Sequence, residues 1–94
     1  MRIMVKYFTI LREIVDKKEE ELEFSQGTTI KEVLKHLSET YGKEFKEYLF
    51  DERGRVKGHL EFLINGKSIA TMKGMETKLN DRDKIAIIPP IGGG

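Results

Sequence analysis

The sequence predicts a two-layer α+β domain, with one helix packed across one face of a mixed four- to five-stranded sheet. Three observations carry that expectation. Between Ile30 and Tyr41 the apolar residues recur with a helical period. Four other stretches alternate apolar and polar residues with the two-residue period of half-buried strands. The strand-like stretches also flank turn chemistry, most clearly at Asn65-Gly66, a strong hairpin signal. A single amphipathic helix must bury its stripe against something, and one face of the sheet is the available surface.

The elements follow in order. Arg2 to Phe8 alternates, with Ile3, Val5 and Tyr7 on one side and Arg2, Met4, Lys6 and Phe8 on the other. Thr9 to Asp16 reads as a bend carrying Ile10, Leu11, Ile14 and Val15. Glu20 to Phe24 alternates again, with Leu22 and Phe24 inward, so these two strands form a hairpin. After the turn Ser25-Gln26-Gly27-Thr28, Thr29 and Glu32 make a capping box, which starts a helix at Ile30. Its stripe is Ile30, Val33, Leu34, Leu37 and Tyr41; Lys31, Lys35, His36 and Glu39 lie off it, and Gly42 suits a left-handed C-terminal stop.

Beyond the helix, Phe45, Tyr48 and Leu49 face the core from a short helical turn. Asp51-Glu52-Arg53-Gly54 is a turn and Arg55 to His59 a mobile charged loop. Leu60, Phe62 and Ile64 mark a third strand, Lys67 to Ala70 its short return, and Leu79 a plug in the core. Asn80 to Asp83 turns the chain into a last strand, Lys84 to Ile88. This order suits a β-grasp, with the first and last strands side by side and parallel. Residues 1–88 then form one domain and residues 89–94 a flexible tail.

Composition narrows the function. With 94 residues there is one core and not two. Lys and Arg number 17 against 16 Asp and Glu, so no electrostatic footprint for nucleic acid or an anionic membrane is expected. There is no cysteine, which excludes disulfides, thiolate catalysis and cysteine-ligated metals on this chain. The default compartment is the cytoplasm, and the Lys- and Glu-rich, cysteine-free composition leans towards a thermophilic source.

The tail is Pro89, Pro90, Ile91, Gly92, Gly93 and Gly94. Proline fixes its own backbone angle and has no N–H for a ladder, so the strand must stop at Ile88. Three glycines without Cβ atoms then form a thread thin enough for a narrow channel, presenting the carboxylate of Gly94.

The order of elements, Tyr7 to Glu13, the Asn65-Gly66 turn, the Asp83 to Pro90 segment and the final Gly93-Gly94 resemble the small (MoaD-type) subunit of molybdopterin synthase. That family consists of ubiquitin-like β-grasp sulfur carriers, and archaeal small modifier proteins share the pattern. The family allows several residues at Gly92, and residues 43–59 are longer than in its shortest members. The resemblance implies that Gly94 is adenylated, then thiocarboxylated, and gives its sulfur to the dithiolene of molybdopterin. The implied partners are an E1-like adenylyltransferase (MoeB-type) that uses ATP, a sulfur donor, and the large synthase subunit (MoaE-type). No Gly-rich loop for ATP lies between a strand and a helix, so the chain itself binds no cofactor and acts as a non-catalytic carrier. The alternative is a modifier joined to lysines through Gly94.

Phe8 and Ile88 are the expected partner-binding residues, in a patch where Met4 and Phe8 lie beside Ala86 and Ile88 on the face away from the helix. Ile10 or Leu11 folding over that patch is the competing arrangement. The remaining polar residues have simpler readings. His36 and His59 lack metal-site spacing, Asp81 and Asp83 belong to a turn, the Glu19-Glu20-Glu21 run is a solvated strand edge, and Arg12 makes an ordinary surface ion pair.

Overall fold

The structure, a computed structural model, describes residues 1–89. In chain order the elements are β1 (Arg2–Lys6), α1 (Ile10–Val15), β2 (Glu19–Glu23), α2 (Ile30–Tyr41), α3 (Lys43–Leu49), β3 (Glu61–Ile64), β4 (Lys67–Ser68) and β5 (Lys84–Ile88). Two 3-10 turns, Ile69–Thr71 and Gly74–Glu76, lie between β4 and β5. The sheet runs β2-β1-β5-β3-β4, with β1 and β5 parallel and every other pair antiparallel. The expected β-grasp is present, with the first and last strands adjacent at its centre.

Alternation decides what each strand buries. Ile3 and Val5 of β1, Ile85 and Ile87 of β5, and Phe62 and Ile64 of β3 all turn to one face and are at most 5% exposed. Against them α2 lays Ile30, Val33, Leu34 and Leu37, each essentially sealed from water. Leu79 plugs the same core. The capping box that starts α2 is complete. The Glu32 amide donates to Thr29 Oγ1 at 3.3 Å, and the Thr29 amide donates back to Glu32 Oε1 at 3.1 Å. Thr29→Ala should therefore cost about 1 kcal/mol, read as a lower urea midpoint at unchanged slope. At the other end Gly42 adopts φ 88°, a conformation that favours glycine, and its amide donates to the Ser38 carbonyl at 2.9 Å.

Three expectations need correction. Residues 10–15 form a helix and not a bend, because Leu11 and Val15, four apart, both reach the core and hold one turn in place. The short helical turn after Gly42 is a seven-residue helix, with Phe45 and Leu49 buried and Tyr48 half-buried. The expected loop over residues 55–59 carries several backbone contacts. The Phe50–Val56 bridge, the Lys57 amide on the Leu49 carbonyl and the Leu60 amide on the Lys57 carbonyl pin successive points. Finally, the return strand stops at Ser68, since the Ser68 hydroxyl accepts from the Ala70 amide at 3.2 Å and caps a 3-10 turn.

Candidate functional site

The site lies where β5 runs out. Ile88 is its last strand residue, and Pro89 follows, half-buried. On the sheet face away from α2 the register sets three rows. Met4 lies beside Lys84, Lys6 beside Ala86 with Leu63 beyond, and Ile88 beside Glu61. Phe8 follows two residues after Lys6, just past the end of β1, as Ile88 follows two residues after Ala86. Met4, Phe8, Leu63, Ala86 and Ile88 are all half-buried.

The expected pairing of Met4 with Ala86 is wrong by one step along the face; Lys6 takes that place. The physical reason is that sliding a strand by two residues keeps every side chain on its own face, so alternation cannot fix the register. The patch is therefore apolar with Lys6 and Lys84 set into it. Neither Ile10 nor Leu11 covers it: Leu11 is buried in the core and Ile10 stands 51% exposed.

Arg12 does more than a surface ion pair would. Its Nε–H donates to the Tyr7 carbonyl at 2.9 Å, and its guanidinium lies 5.4 Å from the centre of the Phe8 ring. It thus fixes the backbone at the end of β1 and the ring that edges the patch. No acid pairs with it among the described residues.

Below this end of the sheet, on the core side, sits a polar cluster that sequence reasoning missed. Glu20 is not solvated; its side chain is 13% exposed. The Tyr7 hydroxyl donates to Glu20 Oε2 at 2.6 Å, the Tyr41 hydroxyl donates to the same oxygen, and the Lys17 ammonium reaches Oε1 at 3.2 Å. Burial pushes the Glu20 carboxyl up, but the hydrogen bonds from Tyr41, Tyr7 and Lys17 outweigh it and hold the group below its ordinary range. Burial and the Glu20 carboxylate drive the Tyr7 phenol far above its usual value. Tyr41 shifts the same way, for burial first and Glu20 second. The signal was available: a two-residue step from Leu22 and Phe24 puts Glu20 on the inward face.

The start of β5 is pinned as firmly. Asp83, 8% exposed, accepts from Asn65 Nδ2 at 2.9 Å and from the Asn80 amide at 2.8 Å, while Asn65 Oδ1 accepts from the Lys84 amide at 3.0 Å. Asp81 accepts from the Arg2 amide at 2.7 Å, which holds its carboxyl low. Asp83 thus serves the turn, as expected, while Asp81 ties the turn to the start of β1. His36 is exposed and meets Phe24 edge-on at 5.4 Å, and His59 is exposed in its loop. Among the described residues no three potential ligands come together to hold a metal, and no helix is long and apolar enough to cross a membrane.

Side-chain hydrogen bonds thus hold the start of β5 and the end of β1, and pairing with Glu61 of β3 carries β5 as far as Ile88. Pro90, Ile91, Gly92, Gly93 and Gly94, named above as site residues, lie outside the described residues. Known proteins carry the reading further: the sequence pattern of the ThiS family matches residues 5–94. The chain belongs to the ThiS family. It is 31% identical to small archaeal modifier protein 3 of Haloferax volcanii over 94 residues, covering 100% of both chains. The solution structure of small archaeal modifier protein 1 from Methanosarcina acetivorans matches with a TM-score of 0.84 at 35% identity, over 99% of this chain and 96% of that one. A chain of the Amycolatopsis orientalis BexX/CysO complex matches in fold, with a TM-score of 0.76 at 23% identity over 98% and 99%. The protein is a ubiquitin-like β-grasp member of the sulfur-carrier and small-archaeal-modifier type.

Proposed function

We propose that this chain carries sulfur on the carboxylate of Gly94, as the small subunit of a molybdopterin synthase. The observation that supports it most is where β5 stops: the strand ends at Ile88 with Pro89 half-buried behind it, and the sequence runs on from there as Pro90-Ile91-Gly92-Gly93-Gly94. A carboxylate is a poor electrophile. A partner adenylyltransferase would make it one: a Gly94 oxygen attacks the α-phosphorus of ATP, pyrophosphate leaves, and an acyl-adenylate forms. A sulfur nucleophile at the hydrosulfide level then adds to the carbonyl carbon, AMP departs, and a thiocarboxylate remains. That sulfur can displace an oxygen leaving group on a pterin precursor held by the large subunit; water then hydrolyses the resulting thioester, which returns the Gly94 carboxylate and leaves the sulfur on the pterin, towards the dithiolene of a molybdenum or tungsten cofactor. Phe8 and Ile88, with Pro89, Pro90, Ile91 and Gly92, would contact the partner that receives the tail.

A second reading is favoured by a specific finding, the full-length likeness to small archaeal modifier protein 3. There the same acyl-adenylate meets a lysine amine of another protein, directly or through a thioester. AMP or the thiol leaves, and an isopeptide bond forms.

Intact-mass spectrometry of every species carrying this chain in its own cells tests both readings. The expected result is a fraction with one oxygen of the C-terminus replaced by sulfur. Gly94 joined to lysines of other proteins, with no thiocarboxylate, would transfer the chain to the second reading. An unmodified carboxylate throughout would overturn both.

A further inference from the structure

The helical layer carries a groove that the tail-end site does not use. It runs between α2 and the segment that follows it, with a volume of about 380 Å³. Lys31, Lys35 and Glu39 line one wall, and Lys46, Phe50 and Gly54 the other. Its surface is mostly apolar, made of the lysine stems and the half-buried Phe50 ring. The charge around it is one-sided. Among the described residues none of the three lysines is in an ion pair. Asp51, next to Phe50, is already engaged: its carboxylate accepts from the Arg53 and Arg55 amides at 2.9 and 3.0 Å and pairs with the Arg55 guanidinium. Glu39 is the one acid in the lining.

The turn beyond Phe50 keeps the groove in shape. The Gly54 amide donates to the Asp51 carbonyl at 2.9 Å, the Asp51 amide to the Arg55 carbonyl at 2.8 Å, and Gly54 takes φ 77°. An apolar floor ringed by unpaired ammonium groups complements an apolar side chain flanked by carboxylates.

We infer that this groove docks an acidic, amphipathic segment of a partner protein, its apolar side chain on Phe50 and its carboxylates on Lys31, Lys35 and Lys46. The groove belongs to the helical layer and the Phe8–Ile88 patch to the opposite face of the sheet. A partner could therefore hold the body while another engages the tail, a purpose that rests on the proposed function. The binding itself does not.

The test is a titration of the isotope-labelled full chain with a blocked peptide, Glu-Glu-Leu-Phe-Glu-Glu, followed by backbone amide shifts. Shifts should gather at residues 31–39 and 46–54, and affinity should fall with added salt. The double variant Lys35→Glu with Lys46→Glu should bind at least about tenfold more weakly. Both lysines are exposed, so that variant should keep the native spectrum elsewhere. No shifts at millimolar peptide, shifts on the sheet face, or unchanged affinity in the variant would each overturn the inference. Equal binding by a single-stranded oligothymidylate would do so as well, by making the lysines a general polyanion site. Loss of tail chemistry would leave this titration unchanged, so the two proposals fail separately.

Discussion

Deleting Gly94, or replacing Gly93 with Phe, should abolish ATP-dependent activation while the melting temperature stays where it is. The first variant moves the carboxylate back by one residue, about 3.5 Å of extended chain, and out of reach of the α-phosphorus. The second puts a ring where only a bare backbone fits a narrow channel. Displacements of about 1 Å can cost a reaction on the order of 100-fold, so either change should lower pyrophosphate exchange by at least about that factor. Both changes lie five or more residues past the last core side chain and the last strand residue among the described residues, Ile87 and Ile88. Gly92→Ala, at the position where the resemblance implies variation, should keep most of the exchange. Undiminished exchange by the chain lacking Gly94 would remove the reacting group from the proposal.

What could be read from the sequence follows from which signals are local. The α2 stripe, its capping box and the Asn65-Gly66 turn are each set by residues a few positions apart, and all three stand in the structure. The alternation of β1 and β5 likewise told which side chains are buried. The helix α1 left no such mark. Ile10, Ile14 and Val15 are β-branched and poor helix formers. Thr9 at its start makes no side-chain cap and takes φ 46°, a conformation that a threonine does not advertise. Tertiary burial of Leu11 and Val15 holds this helix together, and burial against distant residues has no local pattern. The register of β1 on β5 was hidden for the same reason, since it is fixed between strands some eighty residues apart.

The site divided along the same line. The residues that shape the tail exit, Ile88 and Pro89, could be named because proline ends a ladder by its own chemistry. The groups that steady this end of the sheet could not. Arg12 acts on the Tyr7 carbonyl and the Phe8 ring, and Glu20 draws in side chains from three separate segments. A glutamate between two other glutamates looks solvated until Tyr7 and Tyr41 are seen above it.

That cluster gives the largest expected effect on stability. In Glu20→Ala the Tyr7 hydroxyl, on a fully buried residue, loses its acceptor, and Tyr41 and Lys17 lose theirs. A hydrogen bond to a charged group contributes about 1.5–3 kcal/mol, and an orphaned buried donor costs a similar amount. The variant should therefore lose about 2–3 kcal/mol, which for a domain of this size lowers the melting temperature by roughly 10 °C or more. Adding Tyr7→Phe to Glu20→Leu should recover part of that loss, because no buried donor is then left without a partner. The pH dependence has a definite sign. The folded Glu20 carboxyl titrates below the ordinary value of 4.5, so its contribution is complete above that pH and is lost as pH falls through the lowered folded value. The raised Tyr7 and Tyr41 phenols act at the other end: their contribution is complete below pH 10 and declines as pH rises beyond it. Urea midpoints of the wild type and Glu20→Gln should accordingly differ by a constant amount through neutral pH and converge in acid. Equal midpoints for the wild type and Glu20→Ala at pH 7 would show that the end of β1 is held by apolar packing and Arg12 alone, and a gap to Glu20→Gln that persists in acid would show that the ionised carboxylate is not what matters.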